Sequence, residues 1–254
     1  MIFESHAHFD DEAFDEDREV LLESMQENGI GYVMNIGASL KSTAATVALT
    51  QKYPFVYGAA GVHPSETAEL NEENFEWLRE QCKQPKIVAV GEIGLDYYWN
   101  EPDPQIQKYW FERQLDLAHE VKKPVCIHSR DAAKDTFDIM VAKHASDLGG
   151  VIHCYSYSAE MALEYIKMGF HIGVGGVVTF KNGKKLKETV EAIPIERILL
   201  ETDSPYMAPE PNRGKRNSSL YLPYIAQQIA EIKQMTYDEV VEITCQNAKK
   251  LFGI

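Results

Sequence analysis

No apolar run in the chain approaches the roughly 18 residues that cross a bilayer, and no basic stretch leads into an apolar one near Met1. A membrane span and a secretory leader are therefore not expected, and the sequence reads as a cytoplasmic protein. Cysteine is scarce: the four, Cys82, Cys126, Cys154 and Cys245, show no C-x-x-C spacing and sit in apolar surroundings, which suits buried reduced thiols rather than a disulfide framework. Basic charge is also short. With 25 Lys and Arg against 39 Asp and Glu, the net charge of −14 repels a nucleic-acid backbone at long range and argues against tight non-specific DNA binding. A local basic patch, or metal ions in a cleft, can still hold one phosphate. Linkers, low-complexity tracts and short repeats are missing too. The 254 residues, 44% hydrophobic and 25% charged, fit one unit over 1–254, since barrels of about 250 residues commonly form a single domain.

What the chain has is alternation. Strand-type apolar runs recur at 2–5, 32–36, 55–60, 87–91, 125–127, 151–152, 172–174 and 198–200. Helical spacing fills 18–28, 42–53, 72–82, 105–122, 132–145, 159–168 and 183–192, and a last pair, 221–234 and 237–252, closes the chain. Strands that alternate with helices pair in parallel through crossovers. Eight such units at about 30 residues each predict a (β/α)8 TIM barrel. An open doubly wound sheet is the alternative, but it calls for a Gly-rich loop after the first strand, where His6-Ala7-His8-Phe9 stands instead.

In a strand, residues i and i+2 point the same way, so His6 and His8 aim at one place. Two co-facing imidazoles suit a divalent metal. One H-x-H among eight histidines proves little alone, but the other strands add partners. His63 follows the third, Glu92 the fourth, His128 the fifth, His153 the sixth and Asp203 the eighth. In a barrel all these carboxyl ends face one mouth, where the active site is built. His6, His8, Glu92, His128, His153 and Asp203 are too many for one tetrahedral zinc; they suit two divalent ions, Mg, Mn or Zn, bridged by a carboxylate. His119, His144 and His171 fit no such position.

Ser5-His6-Ala7-His8-Phe9-Asp10, Gly61-Val62-His63-Pro64, Gly91-Glu92-Ile93-Gly94-Leu95-Asp96-Tyr97, the Pro124-Val125-Cys126-Ile127-His128-Ser129-Arg130 run, His153-Cys154-Tyr155-Ser156, Glu201-Thr202-Asp203-Ser204-Pro205-Tyr206 and Gly214-Lys215-Arg216-Asn217 stand in order along the chain. This set resembles the signatures of the TatD-like metal-dependent hydrolases, also called TatD-type deoxyribonucleases. The resemblance implies a metal-dependent barrel of the amidohydrolase superfamily, with ligands on the same six positions and magnesium- or manganese-assisted cleavage at DNA ends; zinc is also implied as an occupant. Two departures stand out: Glu4-Ser5 replaces a common Asp-Thr before the first His, and Tyr157 replaces a common Gly, where a bulky side chain is expected to narrow the mouth or change the loop's geometry.

The expected roles follow. His6 and His8 hold one ion, His128 and His153 the other; Glu92 bridges, and Asp203 completes the coordination of the first ion and takes a proton from the attacking water. His63, Arg130, Lys215, Arg216 and Asn217 are candidates for substrate binding, Arg130 because its planar fork matches phosphate oxygens. Lys181, Lys184 and Lys185 would extend a basic rim, and Tyr97, Tyr98 and Trp99 could stack on exposed bases. The expected activity is a 3′-to-5′ deoxyribonuclease acting on DNA ends or single strands, with no membrane and no stable protein partner. The alternative keeps the metals and changes the bond, to a carboxyl ester, lactone or amide of a small molecule or an aminoacyl-tRNA. A metal-stabilised scaffold without catalysis is the third reading.

Overall fold

The computed structural model describes residues 1–99 and 101–254. Its strands are β1 (Ile2–Ala7), β2 (Ile30–Ile36), β3 (Val56–Ala60), β4 (Ile87–Asp96), β5 (Val125–Arg130), β6 (Gly150–Ile152), β7 (His171–Val174) and β8 (Ile198–Leu200). They form one sheet in chain order, every neighbouring pair parallel. Helices α1 (Arg18–Glu23), α2 (Leu40–Lys52), α3 (Glu72–Cys82), α4 (Pro104–Val121), α5 (Ala133–Ala142), α6 (Ala159–Lys167) and α7 (Lys184–Ala192) make the crossovers, and α8 (Leu222–Lys233) and α9 (Tyr237–Phe252) follow β8. This is the expected (β/α)8 barrel. No described helix is long and apolar enough to cross a membrane.

Two apolar layers build it. Phe3, Met34, Ile36, Ala59, Ala89, Cys126, Val151 and Leu199 point inward from seven strands, and Cys245, Ala248 and Phe252 of α9 pack against them, Phe252 stacking on Phe3 at 6.0 Å. Residues of the opposite parity, such as Ile2, Val90, Val125 and Ile198, join the outer layer under the helices. Covered on both faces, the strands read as near-continuous apolar runs rather than alternating ones. Helix starts are fixed locally: Ser39 caps α2 through the Ser42 amide, Asn71 and Thr236 form reciprocal boxes with Asn74 and Glu239, and Pro104 opens α4.

The strand pairings carry four irregularities, and two of them serve the mouth. Phe3 points into the barrel, yet Ala7 and Phe9, of the same parity, pack outside. The β1–β2 pairing is irregular between Glu4 and Ala7, which turns His6 and His8 inward. In β4, Ala89 is inside while Ile93 and Leu95 are outside, and the pairing with β5 shifts between Val90 and Ile93, turning Glu92 inward. Such irregularities re-aim side chains at barrel rims. The β5–β6 and β7–β8 pairings carry no shift, so His128 follows Cys126 inward, while His153, Glu201 and Asp203 stand just past the ends of β6 and β8 and reach the same centre.

Closure falls at the same level. β1 meets the chain beyond β8 through the Ala7–Ser204 bridge, with Asp203 N–H donating to His6 O at 2.9 Å and His8 N–H to Ser204 O at 2.8 Å. Just below, the fully buried Glu4 carboxylate accepts from Thr202 N–H at 3.0 Å and Thr202 Oγ1 at 2.6 Å. Closing the barrel and placing three ligands are one event.

Several expected boundaries move. β1, β4 and β5 run past 5, 91 and 127, because a parallel ladder continues through polar residues whenever the backbone bonds continue. α1 ends at Glu23 rather than 28: the Ser24 hydroxyl donates to Leu21 O at 2.8 Å, the Asn28 amide to Ser24 O at 2.8 Å, and Gly29, at φ +81, turns the chain into β2. α5 stops at Ala142, before the left-handed His144.

Candidate metal centre

His6, His8 and Asp203 come from the closure of β1 on β8, and Glu92 reaches them from across the barrel. His6 Nε2 and His8 Nε2 stand 3.3 Å apart, Glu92 Oε2 lies 3.4 and 3.6 Å from them, and Asp203 Oδ1 lies 3.9 and 3.5 Å from them. The other Glu92 oxygen faces a second set: Oε1 is 2.8 Å from His128 Nδ1 and 2.9 Å from His153 Nε2, which are 3.4 Å from each other. The imidazoles of His6 and His153 stack at 3.8 Å and 12°. The centre lies at the bottom of a cavity of about 730 Å³.

Hydrogen bonds behind the rings decide which nitrogen faces inward. His8 Nδ1 donates to Ile36 O at 2.9 Å, leaving the Nε2 lone pair for the centre. His128 Nε2 donates to Asp96 Oδ2 at 3.1 Å, leaving Nδ1 facing Glu92. This is the usual device for orienting metal-ligating histidines. Ligands about 2.1 Å from one ion stand roughly 3.0 to 3.4 Å apart, and the 3.3 to 3.6 Å separations around His6, His8 and Glu92 lie close to that. The donor set, four imidazole nitrogens and two carboxylates, fits divalent transition ions. The residues present therefore fit a metal.

Electrostatics agree. Burial disfavours the His153 imidazolium, but the Glu92 carboxylate outweighs it and pushes the ring up to about 10. His8, likewise penalised by burial, is pushed up to about 9 by Asp203 and Glu92. Burial and the adjacent His153 hold His6 down to about 4. Burial also works against the Glu92 and Asp203 carboxylates, yet the surrounding imidazoles hold both below the usual range. The two carboxylates thus favour positive charge between them, carried by protons on His8 and His153 or, with those protons displaced from the rings, by a bound cation.

The remaining expected residues divide. His63 Nε2 lies 3.8 Å from Glu92 Oε1. Its Nδ1 accepts from Ser65 N–H at 3.2 Å, so the neutral ring carries its proton on Nε2, and burial together with His128 keeps it neutral down to about 3. Arg130 is on the cavity wall, its guanidinium 3.8 Å from the centre of the Tyr98 ring. Lys215, Arg216 and Asn217 are not. Arg216 forms a two-pronged pair with Asp17 at 2.7 and 2.6 Å and bonds Ala13 O at 2.7 Å. Asn217 is fully buried, its amide spent on Thr202 O at 2.8 Å and Tyr206 O at 2.6 Å. Lys215 is exposed, as are Lys181, Lys184 and Lys185. The expectation of substrate binding is thus corrected for Arg216 and Asn217, which hold the loop after β8 against the first loop and the barrel, while Lys215 stands outside the cavity wall.

Tyr157 is corrected too. Its hydroxyl lies 3.0 Å from Ser129 Oγ and accepts from Ala132 N–H at 3.2 Å, and the ring packs on the outer core instead of narrowing the mouth. Sequence reasoning gave no role to Asp96, although it lies four residues beyond Glu92 on one strand and hence on the same face. Glu201 was also passed over. It is fully buried 3.7 Å from His153 Nδ1, and burial pushes its carboxyl up to about 8.

A parallel eight-stranded barrel with this histidine–carboxylate mouth defines a metal-dependent hydrolase. The chain belongs to the TatD related DNase family, whose model matches residues 3–253. It is 42% identical over 100% of both chains to a Bacillus subtilis protein named as the uncharacterized metal-dependent hydrolase YabD. It is 32% identical to the 3′-5′ ssDNA/RNA exonuclease TatD of a Rahnella species, covering 100% of this chain and 98% of that one. The crystal structure of YJJV, a TatD homologue from Escherichia coli, superposes with a TM-score of 0.94 at 28% identity, covering 100% of this chain and 98% of the other.

Proposed function

We propose that the chain is a cytoplasmic phosphodiesterase that trims DNA from 3′ ends or in single strands with two divalent ions, Mg, Mn or Zn. The observation that carries this reading is the division of Glu92, whose Oε2 faces His6 and His8 while its Oε1 faces His128 and His153. One carboxylate shared between two nitrogen pairs would serve a cation on each side. When bound, the ions supply Lewis acidity to a water and neutralise charge on phosphoryl oxygens. The likeness to a relative named as a 3′-5′ ssDNA/RNA exonuclease supports the choice of bond.

The protein's own groups do the rest. Asp203, held ionised and still 17% exposed at its side chain, accepts the proton from the attacking water. His63 directs its Nε2 proton towards the Glu92 side of the cavity, where it donates to a phosphoryl or leaving oxygen. Arg130 offers its fork from the wall. Asp96 keeps His128 in the tautomer that presents Nδ1.

The test is pure protein with 5′-labelled single-stranded DNA and added magnesium or manganese, beside a panel of carboxyl esters and lactones. Progressive shortening from the 3′ end, lost in His6→Ala, is the expected result. Ester or lactone turnover with intact DNA would transfer the same centre to the alternative bond.

A further inference from the structure

Large exposed apolar side chains gather at the mouth in two places. After β4 stand Tyr98 and Trp99, 56% and 64% exposed; after β8 stand Tyr206 and Met207, 53% and 41% exposed. In an eight-stranded ring, β4 and β8 lie across from each other, so these are opposite rims of one opening. Trp99, Tyr206 and Met207 line the same cavity as the metal centre.

Each rim is built rather than loose. Arg130 stacks on Tyr98, and Tyr98 meets Trp99 edge to face at 4.9 Å and 89°. The amides of Tyr98 and Trp99 donate to Asp96 Oδ1 at 2.9 and 3.3 Å, while Asp96 Oδ2 accepts from His128. One carboxylate therefore fixes both the aromatic turn and a ligand ring. Opposite, Tyr206 N–H donates to Asp203 O at 2.8 Å, its hydroxyl donates to Asp11 Oδ2 at 2.8 Å, and its ring lies 6.4 Å from that of His8. Tyr97 takes no part; it is half-buried against the outer core and bonds Asp135.

We infer that Trp99, backed by Tyr98 and Arg130, and Tyr206 are two base-stacking platforms facing each other across the metal centre. The inference rests on the phosphodiesterase reading and adds what it leaves open: the bond cut joins two nucleotides whose bases are both unpaired. Aromatic faces accept any base, so the clamp is indifferent to sequence. Bases held in a duplex cannot reach opposite rims, so paired strands are refused short of a frayed end. Stacking also gives an acidic protein a hold on DNA that does not depend on basic side chains.

The test is anisotropy of a 3′-labelled single-stranded oligonucleotide with calcium in place of the catalytic ion, using wild type, Trp99→Ala, Trp99→Phe, Tyr206→Ala and Tyr206→Phe. A second oligonucleotide lacks the last two bases but keeps the sugars and phosphates. Loss of one stack should weaken binding of the intact strand roughly ten- to a hundredfold. The Phe variants should restore most of it, and the abasic strand should bind wild type and the Ala variants alike. Equal binding of the intact strand by wild type and both Ala variants overturns the clamp, as does an equal loss on both strands. If wild type cleaves oligonucleotides while the variants match it, the clamp alone falls; if wild type neither binds nor cleaves any oligonucleotide, the phosphodiesterase reading falls and the clamp with it.

Discussion

Asp203 brings together three properties that no other ligand combines. It is ionised, as Glu92 is, its side chain is 17% exposed against 4% for Glu92, and its backbone is left-handed at φ 57. The last is tolerated by Asp and Asn more readily than by other non-glycine residues. Asp203→Asn therefore leaves the local backbone undisturbed and removes the base. We expect kcat on single-stranded DNA to fall by roughly 10² to 10⁴ with KM changed little, the size of effect that a positioned proton acceptor provides. Steady-state kinetics against manganese concentration will show it; a kcat within threefold of wild type at saturating ion would leave Asp203 a ligand only. All six proposed ligands were legible from the sequence because barrel topology turns strand ends into one place. Asp96 was not, because its role depends on which nitrogen of His128 it holds, and no spacing reveals a tautomer.

At the level of elements, polarity misled where backbone continued. The strands holding His6, Glu92 and His128 were expected to end before these residues, since apolar patterning stops there; the ladders run on. The two irregularities at the mouth were invisible for a related reason, because an irregular pairing is a property of two strands and not of either alone. Residues 215–217 in the long loop after β8 were expected to bind substrate, and the fold sets them off the cavity wall. Arg216 finds Asp17 199 positions away, a partner that only the closed barrel supplies. β7 offers a test of the frame itself. His171 opens that strand with its ring buried and Nδ1 unpartnered, and burial holds it down to about 4. Its ordinary value is about 6.5, so between these two values the unfolded chain binds a proton that the folded barrel does not. Stability is then full above about pH 6.5 and falls as pH drops towards 4. Urea unfolding at pH 7 and 4.5 should show His171→Leu losing on the order of 2 kcal/mol less than wild type over that interval. Equal losses would mean that the ring is reached by water in the folded state.

For the whole molecule, the centre is also a stability device. Four imidazoles and two carboxylates that meet only when β1 closes on β8 exist as a set in the folded barrel alone, so an ion bound there favours folding by mass action. At about a thousandfold over its dissociation constant, such an ion contributes about 4 kcal/mol. For a chain of this size each kcal/mol moves the melting temperature by roughly 2 to 4 °C. Manganese or zinc should thus raise the Tm of chelator-treated protein by on the order of 10 °C. Glu92→Gln should lose most of that rise, because the shared carboxylate serves both nitrogen pairs, whereas Trp99→Ala should keep it, because the aromatic rim touches substrate rather than ion. Scanning calorimetry of the three proteins with and without ion separates the centre from the clamp: an identical rise in Glu92→Gln and wild type would place the ion elsewhere on the acidic surface and remove the basis for the proposed chemistry.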